Sequence, residues 1–93
     1  MTPSSGNVFE DLGYSPAEAR LLALRADLMV RIERVIKDRH LTQSRAARLL
    51  GVTQPRISDL VRGKIDRFSI DSLVEMLARA GVRVGLTVEP RAA

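Results

Sequence analysis

The sequence predicts an all-α domain, a bundle of four to five helices that ends in one β-strand. Between residues 15 and 81, apolar residues recur every three to four positions, which is the spacing of amphipathic helices. Serine, threonine and glycine stand where such helices begin and end. Residues 82–89 instead alternate apolar with polar residues, as a strand does. With 93 residues, the chain is long enough for one domain.

The first 14 residues are predicted to form a partly disordered tail, because MTPSSGN is small and polar. Val8, Phe9 and Leu12 form a short apolar cluster within this tail. We expect this cluster to dock against another surface.

The first predicted helix begins with a strong start signal. Ser15 is a candidate N-cap, Pro16 suits the first helical position, and Glu18 completes a capping box. The helix is expected to continue to about Arg39. Its apolar stripe is predicted to consist of Leu21, Leu24, Leu28, Ile32 and Val35, widened by Leu22, Met29 and Ile36.

Two short helices are predicted next. Thr42 is the candidate N-cap of the first, which ends before Gly51, a residue that tolerates the left-handed conformation at a helix end. Thr53 is the candidate N-cap of the second, which extends to about Val61. Such a pair, joined by a tight glycine turn, is a helix-turn-helix, here predicted over residues 42–62.

A further helix and a strand complete the prediction. Ser69 caps a helix that ends at Gly81, and a strand then occupies residues 82–89. A lone strand leaves its backbone donors and acceptors unpaired, so we expect it to pair with the same strand of a second copy. The predicted dimerisation residues are Val82, Val84, Leu86 and Val88.

The second helix of a helix-turn-helix lies in the DNA major groove and presents its N-terminal residues to base edges. Ile57 and Leu60 are expected to face the core, which leaves polar side chains for the outside. Glutamine can bind adenine and arginine can bind guanine, each through two hydrogen bonds, and aspartate can accept one from cytosine. The polar residues on the predicted outer face are Gln54, Arg56, Ser58 and Asp59.

The run LTQSRAARLLGVTQPRISDLVRGK resembles the helix-turn-helix of phage-repressor and Xre-like regulators, and the likeness continues through FSIDSLVEMLARAG. More narrowly, NVFEDLG, the long first helix, QPRISDL and the terminal VxVxLxV pattern resemble small Xre-type proteins of the HigA-like antitoxin group. The resemblance implies a phage-repressor-like bundle, with residues 15–93 as the DNA-binding domain.

The resemblance also implies roles for individual residues. Gln43 would hold a phosphate and brace Gln54, while Lys64 and Arg67 would contact the DNA backbone. Pro55 stands where related repressors often have a polar reader, so it offers only apolar contact. Gln54, Arg56 and Asp59 would contact bases, unless Asp59 instead orients Arg56 or Arg62. The complete candidate DNA-binding set is Gln43, Thr53, Gln54, Pro55, Arg56, Ser58, Asp59, Arg62, Lys64 and Arg67.

Composition restricts the other classes of function. The formal net charge of +4 at pH 7 favours an anionic partner. The absence of cysteine excludes disulfides and thiolate zinc sites, and it favours a cytoplasmic protein. His40 is the single histidine, so neither a metal nor a cofactor is expected. No pairing of a nucleophile with a base suggests an enzyme.

The sequence therefore predicts a sequence-specific DNA-binding regulator, a homodimeric repressor that reads a palindromic operator. If the narrower resemblance holds, the protein is an antitoxin that also binds a cognate toxin. The alternative is a protein-interaction module that keeps the helix-turn-helix fold without binding DNA.

Overall fold

A computed structural model of the chain describes residues 5–90. This part of the chain is all-helical, with one turn of 3-10 helix at Ile65–Arg67. No helix within it is long and apolar enough to cross a membrane. The α-helices are α1 Ser5–Asp11, α2 Pro16–Asp38, α3 Gln43–Leu50, α4 Gln54–Val61 and α5 Ile70–Arg79.

The capping box predicted for the long helix is present at the start of α2. The Ser15 hydroxyl accepts a hydrogen bond from the Glu18 backbone N–H at 3.2 Å. In return, the Glu18 carboxylate accepts one from the Ser15 N–H at 3.3 Å. These bonds satisfy backbone donors that the first turn of a helix leaves free. Ser69 caps α5 in the same way, with Ser72 as its partner.

The N-terminal segment differs from the predicted disordered tail, because residues 5–11 form α1, which packs against α2. Phe9 is half-buried, and its ring meets that of Tyr14 edge-on at 6.4 Å between centroids. Val8 and Leu12 are exposed. The expected docking of the apolar cluster therefore involves Phe9, while its other two members face outward. Residues 1–4 lie outside the described residues.

The buried face of α2 differs from the predicted leucine stripe. Leu21 and Leu24 are 41% and 38% exposed, whereas Ala19 and Ala23 are buried. Small side chains let two helices approach closely, and α1 packs against α2. Farther along α2, Ile32 is fully buried in the main core, in agreement with the prediction.

The main core lies where α2, α3, α4 and α5 meet. It is aliphatic apart from Phe68, which follows the 3-10 turn. This core fixes the rotation of α3 and α4 about their axes and so decides which of their side chains face solvent. Its buried members are Met29, Ile32, Ala46, Ala47, Leu50, Ile57, Leu60, Phe68, Leu73, Met76, Leu77 and Ala80.

The predicted C-terminal strand is not formed: residues 82–90 have no regular secondary structure, and residues 5–90 contain no strand. A ladder needs a second strand, and the part of the chain that the structure describes supplies none. Val82 and Val84 pack against the core. Leu86 and Val88 are 87% and 86% exposed, so half of the predicted dimerisation residues remain in solvent. The pairing predicted for the strand is likewise not seen in this chain.

Candidate nucleic-acid interface

The turn between α3 and α4 has the geometry of a helix-turn-helix. Gly51 is left-handed, with φ 72° and ψ 31°, and its N–H donates to the Ala47 carbonyl. A Cβ at Gly51 would lie 2.6 Å from the Nε atom of Arg79. The left-handed conformation favours glycine there, whereas the exposed Arg79 side chain could move away from a Cβ. At the other end of α3, the Thr42 hydroxyl accepts from the Arg45 N–H at 3.1 Å, as expected of an N-cap.

The N-terminus of α4 is open to solvent. Ile57 and Leu60 are fully buried, as predicted, and this orientation leaves Gln54 and Pro55 exposed in the first turn. Thr53 occupies the N-cap position and is exposed, but its side chain makes no capping hydrogen bond. The start of α4 therefore presents the polar side chains of Thr53 and Gln54 to solvent.

Arg56 is half-buried, although it was predicted to lie on the outer face with Gln54. Its Nη1 atom donates to the backbone carbonyl of Arg67 at 2.6 Å. Its guanidinium carbon lies 4.3 Å from the centroid of the Phe68 ring. The side chain thus joins α4 to the segment that follows the 3-10 turn.

Asp59 pairs with the two cations expected to contact the DNA backbone. Its carboxylate lies 3.8 Å from Lys64 Nζ and 3.5 Å from Arg67 Nη1. The expectation that Asp59 orients Arg56 or Arg62 is therefore not seen, because its partners are different cations. Pairs as exposed as these contribute only about 0.2–1 kcal/mol each. These ion pairs bring Lys64 and Arg67 close to the end of α4 but do not hold the two side chains in one conformation.

A family model described as a helix-turn-helix domain matches residues 8–89. The chain belongs to this family. The match begins within α1 and ends within the C-terminal segment, so it includes part of α1 and all of the later helices. It supports a DNA-binding domain. No curated protein sequence matches the chain.

The remaining candidates of this helix-turn-helix domain are dispersed around α3 and α4. Gln43 is the exposed first residue of α3, and Arg62 is exposed just after α4. Ser58 is half-buried. Gln43 and Gln54, both among the described residues, share no hydrogen bond, so the expected brace is absent from the DNA-free chain.

Sequence reasoning missed Phe68 as part of this site. The residue is 2% exposed, and its ring supports the Arg56 guanidinium. Aromatic residues make up only 3% of the chain, and this rarity is a signal that could have drawn attention to Phe68. Its pairing with Arg56 depends on the path of the intervening backbone, which no local pattern specifies.

Proposed function

We propose that this protein is a sequence-specific transcriptional regulator of the Xre-like type, a cytoplasmic repressor that binds a palindromic operator as a homodimer. The observation that carries the proposal is the exposed first turn of α4, with Gln54 and Pro55 in solvent. An exposed, polar N-terminus on the second helix is what a major-groove reader requires.

Base recognition falls first to Gln54. Its side-chain NH2 group can donate to N7 of an adenine while its side-chain oxygen accepts from the N6 amino group of the same base, a two-point contact that discriminates among bases. Pro55 has no free N–H and offers a ring that suits the methyl group of thymine. Gln54→Ala is therefore expected to relax the preference at one position of each half-site.

Phosphate contacts fall to the cations after α4. Lys64, Arg67 and Arg62 follow one another closely at the end of this helix, and all keep some solvent exposure. The net charge of +4 is consistent with an anionic partner. Because phosphates carry no sequence information, these contacts would add affinity for any duplex.

Lys64→Ala and Arg67→Ala are each expected to weaken binding to every duplex by a similar factor. Each should also reduce the slope of log affinity against log salt by about one, since one released counterion is lost. The measurement is a titration, at several salt concentrations, of a duplex selected from a random pool and of its scrambled form. Arg34→Ala, on the exposed side of α2, removes the same charge and serves as the control.

Failure of the wild-type protein to enrich any sequence from the random pool would contradict the proposed function. A loss confined to the selected duplex, in Lys64→Ala or Arg67→Ala, would instead show that these residues read bases. Both results differ from the uniform loss expected here.

The alternative, a protein-interaction module without DNA binding, predicts an apolar outer face on α4. The first turn of α4 exposes Gln54 and Pro55, and Arg62 is exposed after the helix. Val61, near the end of α4, is 47% exposed. The polar first turn favours the DNA reader over the interaction module.

An antitoxin role adds a protein partner to this regulator. The support is a set of exposed apolar side chains outside α4, namely Val8 and Leu12 of the α1 region and Leu21 and Leu24 of α2. Several exposed apolar side chains on two neighbouring helical regions suit a protein interface more than solvent. We propose that a cognate toxin packs against this surface.

Val8→Asp combined with Leu12→Asp is expected to abolish toxin binding and to leave DNA binding intact. Both side chains are exposed, so the charges should not unfold α1. Binding of the product of the neighbouring reading frame is measured by calorimetry, with Glu10→Gln on the same helix as the control. Unchanged affinity in the double variant would exclude this surface.

A further inference from the structure

The backbone between α4 and α5 carries the cations that the proposed function assigns to phosphate. The Lys64 N–H donates to the Asp59 carbonyl at 3.0 Å, and the Arg67 N–H donates to the Lys64 carbonyl at 3.0 Å. Phe68 then enters the core, 2% exposed. The segment is thus attached to α4 at its beginning and to the core at its end.

Arg56 attaches the middle of this segment to α4. Its guanidinium donates to the Arg67 backbone carbonyl at 2.6 Å and lies 4.3 Å from the centre of the Phe68 ring. A carbonyl acceptor and a buried aromatic face together hold a guanidinium more firmly than either alone. A contact between Arg56 and guanine would have to break both interactions.

The bond to Arg67 involves its backbone and not its side chain. The Arg67 side chain remains 55% exposed and the Lys64 side chain 38% exposed, both close to Asp59. Arg56 therefore fixes the backbone from which Arg67 extends and leaves the Arg67 charge available. This arrangement would hold a phosphate-binding side chain in place on a segment that lacks long regular structure.

We infer that Arg56 is a positioning residue, which clamps the Lys64–Phe68 segment to α4 for phosphate contact and does not read a base. The DNA part of this inference rests on the proposed function. The clamp itself is a property of the free protein. The clamp and its effect on DNA binding can therefore be tested separately.

The clamp is tested without DNA by amide hydrogen exchange. In Arg56→Ala, the Arg67 and Phe68 amides are expected to exchange about tenfold faster or more than in the wild-type protein, while the buried part of α5 is unchanged. Arg34→Ala is the control, and far-UV circular dichroism verifies that both variants are folded. Unchanged exchange at Arg67 and Phe68 would overturn the clamp, whatever the protein binds.

The DNA part is tested with the selected and scrambled duplexes at several salt concentrations. Arg56→Ala is expected to weaken binding to both duplexes by the same factor, about tenfold, and to leave the preference at every base position unchanged. Its salt slope should fall by more than the one charge removed, because Lys64 and Arg67 lose their placement.

Two DNA outcomes would overturn the inference. One is the loss of preference at a single position of each half-site, which is the signature of a base reader. The other is a salt slope reduced by one charge or less, which would make Arg56 an ordinary cation. If the wild-type protein selects no sequence, the proposed function fails, and the exchange experiment still decides the clamp.

Discussion

Ile32→Ala is expected to lower the free energy of unfolding by about 2–5 kcal/mol, the range for truncating a buried aliphatic side chain. Ile32 is fully buried in the core shared by the helix-turn-helix and α5. Leu24→Ala, on the same helix, is expected to lower it by less than about 1 kcal/mol, because Leu24 is 38% exposed. Urea unfolding followed by circular dichroism measures both.

The comparison is made over a range of protein concentrations. If Leu24→Ala were as destabilising as Ile32→Ala in a dilute monomer, the exposed face described for α2 would be wrong. If the destabilisation caused by Leu24→Ala grew with protein concentration, a second copy would have to cover Leu24, because association adds to apparent stability. The two variants remove aliphatic side chains of similar size, so the difference reports burial.

The starts of the helices could be predicted because their signals are local. Ser15 and Glu18 are three residues apart, and the capping box they form needs only the first turn of α2. The same holds for Thr42 before α3 and Ser69 before α5. Gly51 was recognised for the same reason, since the left-handed conformation at a helix end is a property of one residue.

The buried face of α2 could not be predicted as completely. Periodicity identifies a leucine stripe but does not show which neighbours cover it. No strong local signal predicts α1, which packs against α2, so the burial of Ala19 and Ala23 could not be foreseen. An alanine face is also nearly invisible to hydrophobic patterning, because alanine is small and common in exposed helix positions.

The candidate site shows the same division. The exposure of Gln54 follows from the inward positions of Ile57 and Leu60, which the helical repeat specifies. The engagement of Arg56 does not follow from it, because the partner carbonyl is 11 residues away across a turn. Patterns within one helix predict which side it presents, whereas the packing of loops decides which side chains remain free.

In the C-terminal segment, the local sequence pattern and the packing of the chain lead to different results. Its alternation of valine and leucine with polar residues was evident, yet residues 82–90 form no strand in one chain. Val82 and Val84 pack on the core, while Leu86 and Val88 face solvent. The pattern is suited to a strand that lacks its partner, which a second copy of the chain can provide.

Leu86→Pro is therefore expected to convert a homodimer into a monomer. We propose that residues 82–89 of two copies pair antiparallel about a two-fold axis, as the symmetry of a homodimer requires. Proline removes one backbone donor from this ladder and also one apolar side chain. In one chain Leu86 is 87% exposed, so the substitution should leave the helical bundle folded.

Dimerisation also determines DNA affinity in this proposal. Two copies of α4 would address successive major grooves about 34–36 Å apart, and binding of one half-site would favour binding of the other. Leu86→Pro is expected to lose roughly 100-fold or more in affinity for a palindromic site, since that linkage is removed. Its affinity for a single half-site should remain near that of the wild-type subunit.

Sedimentation at micromolar concentration decides the dimer, with the DNA titrations run in parallel. Thr87→Ala, next to Leu86 and on the other side of the alternation, is the matched control and should remain dimeric. A wild-type protein that sediments as a monomer would contradict strand pairing, even if it binds DNA. A Leu86→Pro variant that remains dimeric would move the interface elsewhere, and the exposed face of α2 would be the next surface to test.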